Sequence, residues 1–576
     1  MFAKNQIVEL TIEAITSEGC GIGHAEGIAV FVPMTAVGDR LRVRIVKVQR
    51  SYCYGIIEQI ITPSKDRTDP GCEAYRRCGG CTLRHITYEA ELRAKYRWVR
   101  DAVQRIGGFS LEPEAILPSP RERGYRNKAQ YPFGYGENGA YTGFFASRTH
   151  TVIPCAECPL QPDIFGEIAR TVCRLADTYG ISIYEETTGH GLLRHLYLRC
   201  AEVTGEIMLC LVINGDTLPC AEEIVAALIE QFPRISTIVL NHNTRRDNVI
   251  LGERETVLWG RGTITDVLCG IEVTLSPRSF YQVNHDAAEL LYRQAAQYAA
   301  LQEGETLLDL YCGAGTIGLS MVRPGQRLIG VEIVESAVGN ARRNAERANI
   351  PAEFLCADAA KAAKMLAERG LHPDAVVLDP PRKGCDKATL EAVAEMAPKR
   401  IVYISCNAAT MARDAALLRE MGYAMQRVRP VDLFPRTAHV ETVCLLTREN
   451  TTHRMKLNPE PFEMIKSGRK TIELRLFDEK RQKIKVGDSI VFTETVTGEE
   501  LNAKVEKLHR FDSFDELYKS LPLLRCGYTE NTVTDAKPSD MEKYYSIEEQ
   551  KKYGVLGIEI SRPNGDTDET VCLLSK

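Results

Sequence analysis

A cysteine that ends an apolar strand is placed to act as a nucleophile, and Ile401-Val402-Tyr403-Ile404-Ser405 leads directly into Cys406 and Asn407. In an open α/β sheet the chemistry gathers in the crevice outside the carboxyl ends of the strands. A thiolate there can add to an electron-poor carbon of a bound substrate. Three acids are set the same way. Arg327-Leu328-Ile329-Gly330-Val331 ends in Glu332, where a carboxylate can hold a ribose diol. Asp358 closes the strand Glu353-Phe354-Leu355-Cys356-Ala357, a position that suits an adenine amino group, and Ala375-Val376-Val377-Leu378 ends in Asp379-Pro380-Pro381-Arg382. Upstream, Thr306-Leu307-Leu308-Asp309-Leu310 breaks into Tyr311-Cys312-Gly313-Ala314-Gly315, a turn whose glycines let backbone approach a ligand closely. The glycines alone fit either a dinucleotide or S-adenosylmethionine.

A second group of residues has the chemistry of a metal site. Cys72, Cys78 and Cys81 read C-x5-C-G-G-C, and a fourth thiolate from Cys155 or Cys158 would complete a tetrahedral sulfur set. Zinc and an iron–sulfur cluster both accept such ligands. The spacing is not the C-x3-C-x2-C of radical enzymes, so a structural cluster is expected. The chain has 576 residues, 19 of them Cys, and a net charge of -5. No apolar run approaches bilayer length and the N-terminus lacks a secretory apolar region, which predicts a cytoplasmic protein. In that compartment clustered thiols read as ligands or nucleophiles rather than disulfides. The charge argues against a generally basic protein but leaves a local basic channel open.

Several domains must position these residues. Residues 6 to about 61 alternate apolar and polar positions between glycine turns, a small β-barrel pattern with Arg40, Arg42, Arg44, Lys47 and Arg50 largely at alternate positions. From Glu18-Gly19-Cys20-Gly21 to Gly38-Asp39 this stretch resembles the TRAM domain, an OB-like RNA-binding module. His85 to Ile106 is expected to be a helix closed by Gly107-Gly108 and packed on the catalytic domain. Arg121, Arg123, Arg126 and Lys128, interleaved with Tyr125, Tyr131 and Phe133, suit single-stranded RNA, with cations on phosphates and rings on bases. The expected layout is multidomain: an OB-like barrel over 1–62, an α+β central domain with the four-cysteine site over 63–275, and a Rossmann-like α/β domain over 276–449. A PUA-like barrel is expected over 453–576.

Gly315 followed by Thr316-Ile317-Gly318 is read as outside the G-x-G-x-x-G frame of a pyrophosphate-binding turn, which favours S-adenosylmethionine over a nicotinamide, and the Asp379-Pro380-Pro381-Arg382 element resembles the fourth motif of methyltransferases. Arg382 stands where enzymes acting on exocyclic amines carry an aromatic, which disfavours that reaction. Gln282, Asp309 to Gly315, Glu332, Asp379 to Arg382, Ser405-Cys406-Asn407 and His439-Val440-Glu441 together resemble the RNA uracil-C5 methyltransferase family. With the TRAM-like start and the cysteine motif, the resemblance is to its iron–sulfur branch making 5-methyluridine in 23S ribosomal RNA. It covers residues 1 to about 449. It implies Cys406 as nucleophile at uracil C6, Glu441 as acceptor of the C5 proton, and Gln282, Tyr311, Gly313, Glu332, Asp358 and Asp379 around S-adenosylmethionine. It also implies Cys158 as fourth ligand, through Cys158-Pro159-Leu160, and a 4Fe–4S cluster in preference to zinc. A monomer acting on a single-stranded or loop uridine is expected. Uridine-C5 methylation of transfer RNA, cytosine-C5 methylation and a non-catalytic ribosome-assembly factor are the rival readings.

After Asn450 the stretch from His453 to Ile490 resembles an ASCH domain, which implies an RNA-binding adaptor. Some ASCH proteins are small amidohydrolases, which would make Lys470, Thr471 and Glu473 catalytic. Finally, Glu441-Thr442-Val443-Cys444-Leu445-Leu446 recurs letter for letter as Glu569 to Leu574, so Glu569 is a rival base. Only Glu441 follows the Phe434-Pro435-Arg436-Thr437-Ala438-His439-Val440 run that the family carries.

Overall fold

The computed structural model describes residues 2–147, 149–155, 157–449 and 451–561. The chain divides into two compact units after Thr447. In the first, strands Ile7–Ile15, Cys20–Ala25, Ile28–Pro33, Tyr52–Thr62 and Arg40–Val48 close into a barrel in that order. Alternation turns Leu10, Ile12, Val30, Val32, Leu41, Val43 and Ile45 inward and leaves Arg40, Arg42 and Arg44 on the outer face.

Helix Tyr88–Asp101 starts later than the apolar periodicity predicts, because the Thr87 hydroxyl caps it by accepting the Ala90 N–H (3.3 Å). A π-helical turn, Ala102–Ile106, carries it to Gly107. Val99, Ala102 and Val103 pack in one core with Leu308, Val376 and Ile401. That core seats the helix on the catalytic sheet.

The central sheet has seven strands, ordered Arg254–Gly260, Ile235–His242, Ile207–Ile213, Leu193–Cys200, Lys128–Gly136, Gly139–Phe145 and Val152–Pro154. Helices Asp163–Thr178 and Ala221–Gln231 cover one face. Tyr131 and Phe133 are buried under that cover, and Tyr125 is buried with its hydroxyl donating to the Pro435 carbonyl (2.9 Å). The expectation that these rings stack on bases is therefore corrected. Tyr131 and Phe133, at alternate positions of their strand, face the apolar layer, and burying them contributes more than an exposed ring would gain. Tyr197, Met208 and Val212 on the opposite face join a core with Leu291, Tyr292 and Leu307 of the catalytic domain.

The catalytic sheet runs Ala352–Cys356, Arg327–Glu332, Thr306–Leu310, Ala375–Leu378, Arg400–Ser405, Glu441–Arg448 and Tyr423–Val431. The pairings among its first five strands are parallel, whereas Glu441–Arg448 runs antiparallel to Arg400–Ser405. The chain turns from one side of the sheet to the other between Thr306–Leu310 and Ala375–Leu378, the switch point where such sheets open a ligand crevice. The strand that fills the sheet is Glu441–Arg448; the repeat Glu569 to Leu574 lies outside the described residues.

The second unit is a five-stranded mixed sheet ordered Thr452–Leu457, Ser489–Glu494, Glu500–Phe511, Val555–Ser561 and Ile472–Leu476, cored by Phe462, Phe492, Val505 and Ile558. Among the described residues no helix is long and apolar enough to cross a membrane.

Candidate active site

Cys406 follows the last residue of a parallel strand, and Glu441 is the first residue of the antiparallel strand beside it. Ser405 pairs with Thr442, so the reversal of direction brings the thiol and the carboxylate to the same edge of the sheet. Asp379 follows the neighbouring strand and reaches the same place. Burial raises the Cys406 thiol above its ordinary value, and the charges of Glu441 and Asp379 add to this. Arg382 opposes them, both by its charge and by a hydrogen bond to the Cys406 sulfur. Sequence reasoning had used Arg382 only to exclude amine chemistry.

Glu441 is buried, and burial raises its pKa to about 8, with Asp379 adding repulsion and Arg382 relieving some of it. Burial likewise lifts Asp379 to about 7. Gln282 reaches this group through Tyr292, whose hydroxyl is hydrogen-bonded with Gln282 and Thr316 and senses the charge of Asp379. The backbone around Gln282 is clasped by Asn127, which donates its side-chain N–H to the Gln282 carbonyl and its backbone N–H to the Val283 carbonyl, each at 2.9 Å.

The glycine-rich turn is fixed from the next strand. Glu332 accepts the Gly313 N–H (3.1 Å) on one oxygen and the Val334 N–H (2.9 Å) on the other. Two carboxylate oxygens carry about four acceptor sites, so a diol can still bind there. The expectation that the turn lacks the G-x-G-x-x-G frame is corrected: Gly313, Gly315 and Gly318 keep that spacing, so spacing alone does not identify the ligand. Gly318 serves packing, since its N–H donates to Asp309 (2.9 Å) and an added Cβ would stand 2.8 Å from that oxygen. Tyr311 sits at φ 73, a strained conformation for a ring-bearing residue, and its hydroxyl meets Cys385 and Thr389. Asp358 is exposed and caps helix Ala359–Glu368 by accepting the Lys361 N–H (3.2 Å).

Asp309 is the residue whose role sequence reasoning left unassigned. Its side chain is wholly buried, its second oxygen has no hydrogen-bond partner among the described residues, and burial raises it to about 8, with Asp379 and Glu332 adding to the shift. A crevice that gathers Asp309, Glu332, Asp379 and Glu441 is short of positive charge, and S-adenosylmethionine carries a sulfonium and an ammonium. The residues present fit that donor.

The loop leading into Glu441 is pinned from far upstream. Lys95 is fully buried and bridges Glu91 and Asp432, each at 2.7 Å, while donating to the Phe434 carbonyl at 3.0 Å. Tyr88 donates to Asp432 (2.8 Å) and the Arg436 N–H to Glu91 (2.7 Å). The N–H groups of Thr82 and Leu83, just past Cys81, donate to the Arg436 carbonyl at 3.0 and 3.1 Å. The cysteine segment is thus tied to the loop that delivers Glu441.

The thiols of Cys72, Cys78, Cys81, Cys155 and Cys158 lie within electrostatic reach of one another, and Cys155 and Cys158 are hydrogen-bonded. Among the described residues no three His, Cys, Asp or Glu side chains converge closely enough to hold an ion. Arg84 and Arg126 lie against Cys158, and the Nε of each has no hydrogen-bond partner among the described residues. Positive charge set beside clustered thiols, with no other partner, fits an anionic metal–thiolate group. In the second unit, Lys470 (2.8 Å) and Arg475 (2.9 Å) both neutralise the buried Glu473, and Thr471 accepts from Arg525 (2.8 Å). That arrangement is a closed ion network.

The profile of the tRNA (uracil-5-)-methyltransferases matches residues 271–449, that of TRAM domains residues 3–57 and that of ASCH domains residues 455–564. An uncharacterized RNA methyltransferase of Halalkalibacterium halodurans is 40% identical over 453 residues, spanning 78% of this chain and 98% of that protein. One from Bacillus cereus is 41% identical over 447 residues, 77% of this chain and 97% of its own length. Among solved structures, the Pyrococcus abyssi tRNA (uracil-54, C5)-methyltransferase in complex with S-adenosyl-L-homocysteine is 28% identical with a TM-score of 0.62. It covers 76% of this chain and 100% of its own.

Proposed function

Because the chain belongs to the S-adenosylmethionine-dependent RNA (uracil-5-)-methyltransferase family, we propose that it makes 5-methyluridine in 23S ribosomal RNA through a covalent bond between Cys406 and uracil C6. The observation that carries this reading is the shared edge where Cys406, Glu441, Asp379 and Arg382 meet.

Uracil C5 is a weak nucleophile. The Cys406 thiolate, with Arg382 countering the repulsion of the nearby carboxylates, adds to C6, and the ring electrons move to make C5 part of an enolate. S-adenosylmethionine, which Gln282, Tyr311, Gly313, Glu332, Asp358 and Asp379 would hold with Asp309 beside them, would supply the methyl group that C5 takes, its S–CH3 bond breaking as the sulfonium becomes the neutral thioether of S-adenosylhomocysteine. Glu441 then accepts the C5 proton, the electrons of that C–H bond restore the C5–C6 double bond, and the C6–S bond breaks. A carboxylate with a raised pKa is a better acceptor for this step. The uridine must leave its stack to reach the thiol, and Phe280, exposed two residues before Gln282, offers a ring for neighbouring bases.

Cys72, Cys78, Cys81 and Cys158 would hold a 4Fe–4S cluster whose role is to brace the loop before Glu441. The TRAM-like barrel supports a ribosomal RNA substrate, and the second unit reads as an RNA-binding adaptor. Transfer RNA is the second reading, favoured by the substrate named for the Pyrococcus neighbour.

The test is to delete the gene and map 5-methyluridine in the separated ribosomal and transfer RNA fractions, then restore wild-type protein or Cys406→Ala. Loss from 23S RNA, rescued by wild type alone, is expected. Loss confined to transfer RNA would select the second reading, and rescue by Cys406→Ala would remove the thiol from the mechanism.

A further inference from the structure

Lys128 opens the strand that follows the Asn127 clasp around Gln282, so it sits beside the crevice that receives the uridine. It pairs directly across the sheet with Arg199, which places both side chains on one face. Arg126 is the third cation of the group, two residues before Lys128. All the forces acting on the Lys128 ammonium push it toward neutrality, burial first and then the charges of Arg199 and Arg126, and they bring it down to about 8.

A half-buried ammonium between two guanidinium groups normally has a carboxylate nearby. The Lys128 side chain has no ion pair and no hydrogen bond among the described residues. Arg126 lies beside the Cys158 thiol and faces the cysteine cluster. Arg199 is almost wholly buried and donates to the Ser276 (3.2 Å) and Ser279 (2.8 Å) carbonyls, yet its Nε has no hydrogen-bond partner. The positive charge continues toward the thiol, because His439 senses both Arg126 and Arg382, and Arg382 is bonded to Cys406. A row of cations that starts at the nucleophile and ends in a lysine without a counter-ion has the chemistry of a nucleic-acid backbone track.

We propose that Lys128, with Arg126 and Arg199 behind it adding positive potential, seats a backbone phosphate of the RNA immediately next to the uridine delivered to Cys406. Arg199 also fixes the turn that leads to Phe280 and Gln282, so phosphate binding is coupled to the residues that face the base. The proposal rests on the reading of the chain as an RNA methyltransferase.

The test uses the full-length protein, with a 5′-fluorescein-labelled 12-nucleotide oligouridylate as binding probe and total RNA from a strain lacking the gene as methyl acceptor. Lys128→Met and Lys128→Gln should weaken oligonucleotide binding about fivefold to tenfold and flatten the plot of log affinity against log salt by about 0.7. KM for RNA should rise by a similar factor with kcat within about twofold, and Lys128→Arg should restore both. S-adenosylmethionine affinity, unchanged in every variant, shows that the proteins are folded. Wild-type affinity and salt slope in Lys128→Met, or a loss that Lys128→Arg does not restore, would overturn the phosphate seat. Failure of the wild-type protein to methylate the RNA would overturn the functional reading instead, and the binding arm would still decide the site.

Discussion

Glu441 and Asp379 are acids held where neither ionises freely, and this has a consequence for stability. The ordinary value for a glutamate is 4.5 and that of Glu441 is about 8. Between these values the folded protein keeps a proton that the unfolded chain has released, so folding stability falls as pH rises through that window. Glu441→Gln removes the slope. The ligand-free variant should gain thermal stability relative to wild type on going from pH 5 to pH 8, by an amount on the order of a few kcal/mol, and a constant difference across that range would contradict the burial argument. Cys406 and Glu441 could be read as a pair from the sequence because both lie at strand ends within recognisable phrases, and the fold brings them to one edge of the sheet. Arg382 and Asp309 could not be read there, since one acts by reaching across to Cys406 and the other through an oxygen left unpartnered by folding. Tyr125, Tyr131 and Phe133 misled because an aromatic beside arginines has the same spelling whether it faces RNA or the core.

At the scale of elements, helix Tyr88–Asp101 and the loop from Asp432 to Val440 form one unit through Lys95. Removing the ammonium leaves Glu91 and Asp432 buried without their counter-ion, so Lys95→Met should cost about 3–5 kcal/mol in urea unfolding. Because the loop leads into Glu441, methyl transfer should fall further than S-adenosylmethionine binding; equal losses would place the effect on general folding. No sequence pattern announces this bridge, since its partners lie 337 residues apart. Strand positions were easier to read. The buried runs Leu193–Cys200 and Ile207–Ile213 and the glycine turn after Thr306–Leu310 follow from apolar continuity and glycine placement. The antiparallel seating of Glu441–Arg448, which brings the Glu441 carboxylate to the Cys406 thiol, required the topology.

For the whole molecule, the division after Thr447 leaves both final strands of the catalytic sheet in the first unit, apart from the terminal Arg448. A chain ending at Glu449 should therefore fold and retain methyl transfer, measured with tritiated S-adenosylmethionine on total RNA lacking the modification. Complete loss of turnover with S-adenosylmethionine binding intact would instead point to Glu569 as the base. Any drop in KM-limited turnover with kcat preserved would measure what the ASCH unit adds to RNA binding. The domain order was legible because each domain carries its own phrases. The link from the segment after Cys81 to Arg436 and the loop before Glu441 emerged only from the folded chain.

The covalent bond at Cys406 is tested most directly by incubating Glu441→Gln with RNA and S-adenosylmethionine, digesting the product and sequencing cross-linked peptides by mass spectrometry. A methylated uridine attached to Cys406, resistant to denaturation and absent from Cys406→Ala, is the expected result. An adduct on another cysteine, or normal turnover by Glu441→Gln without an adduct, would contradict the mechanism.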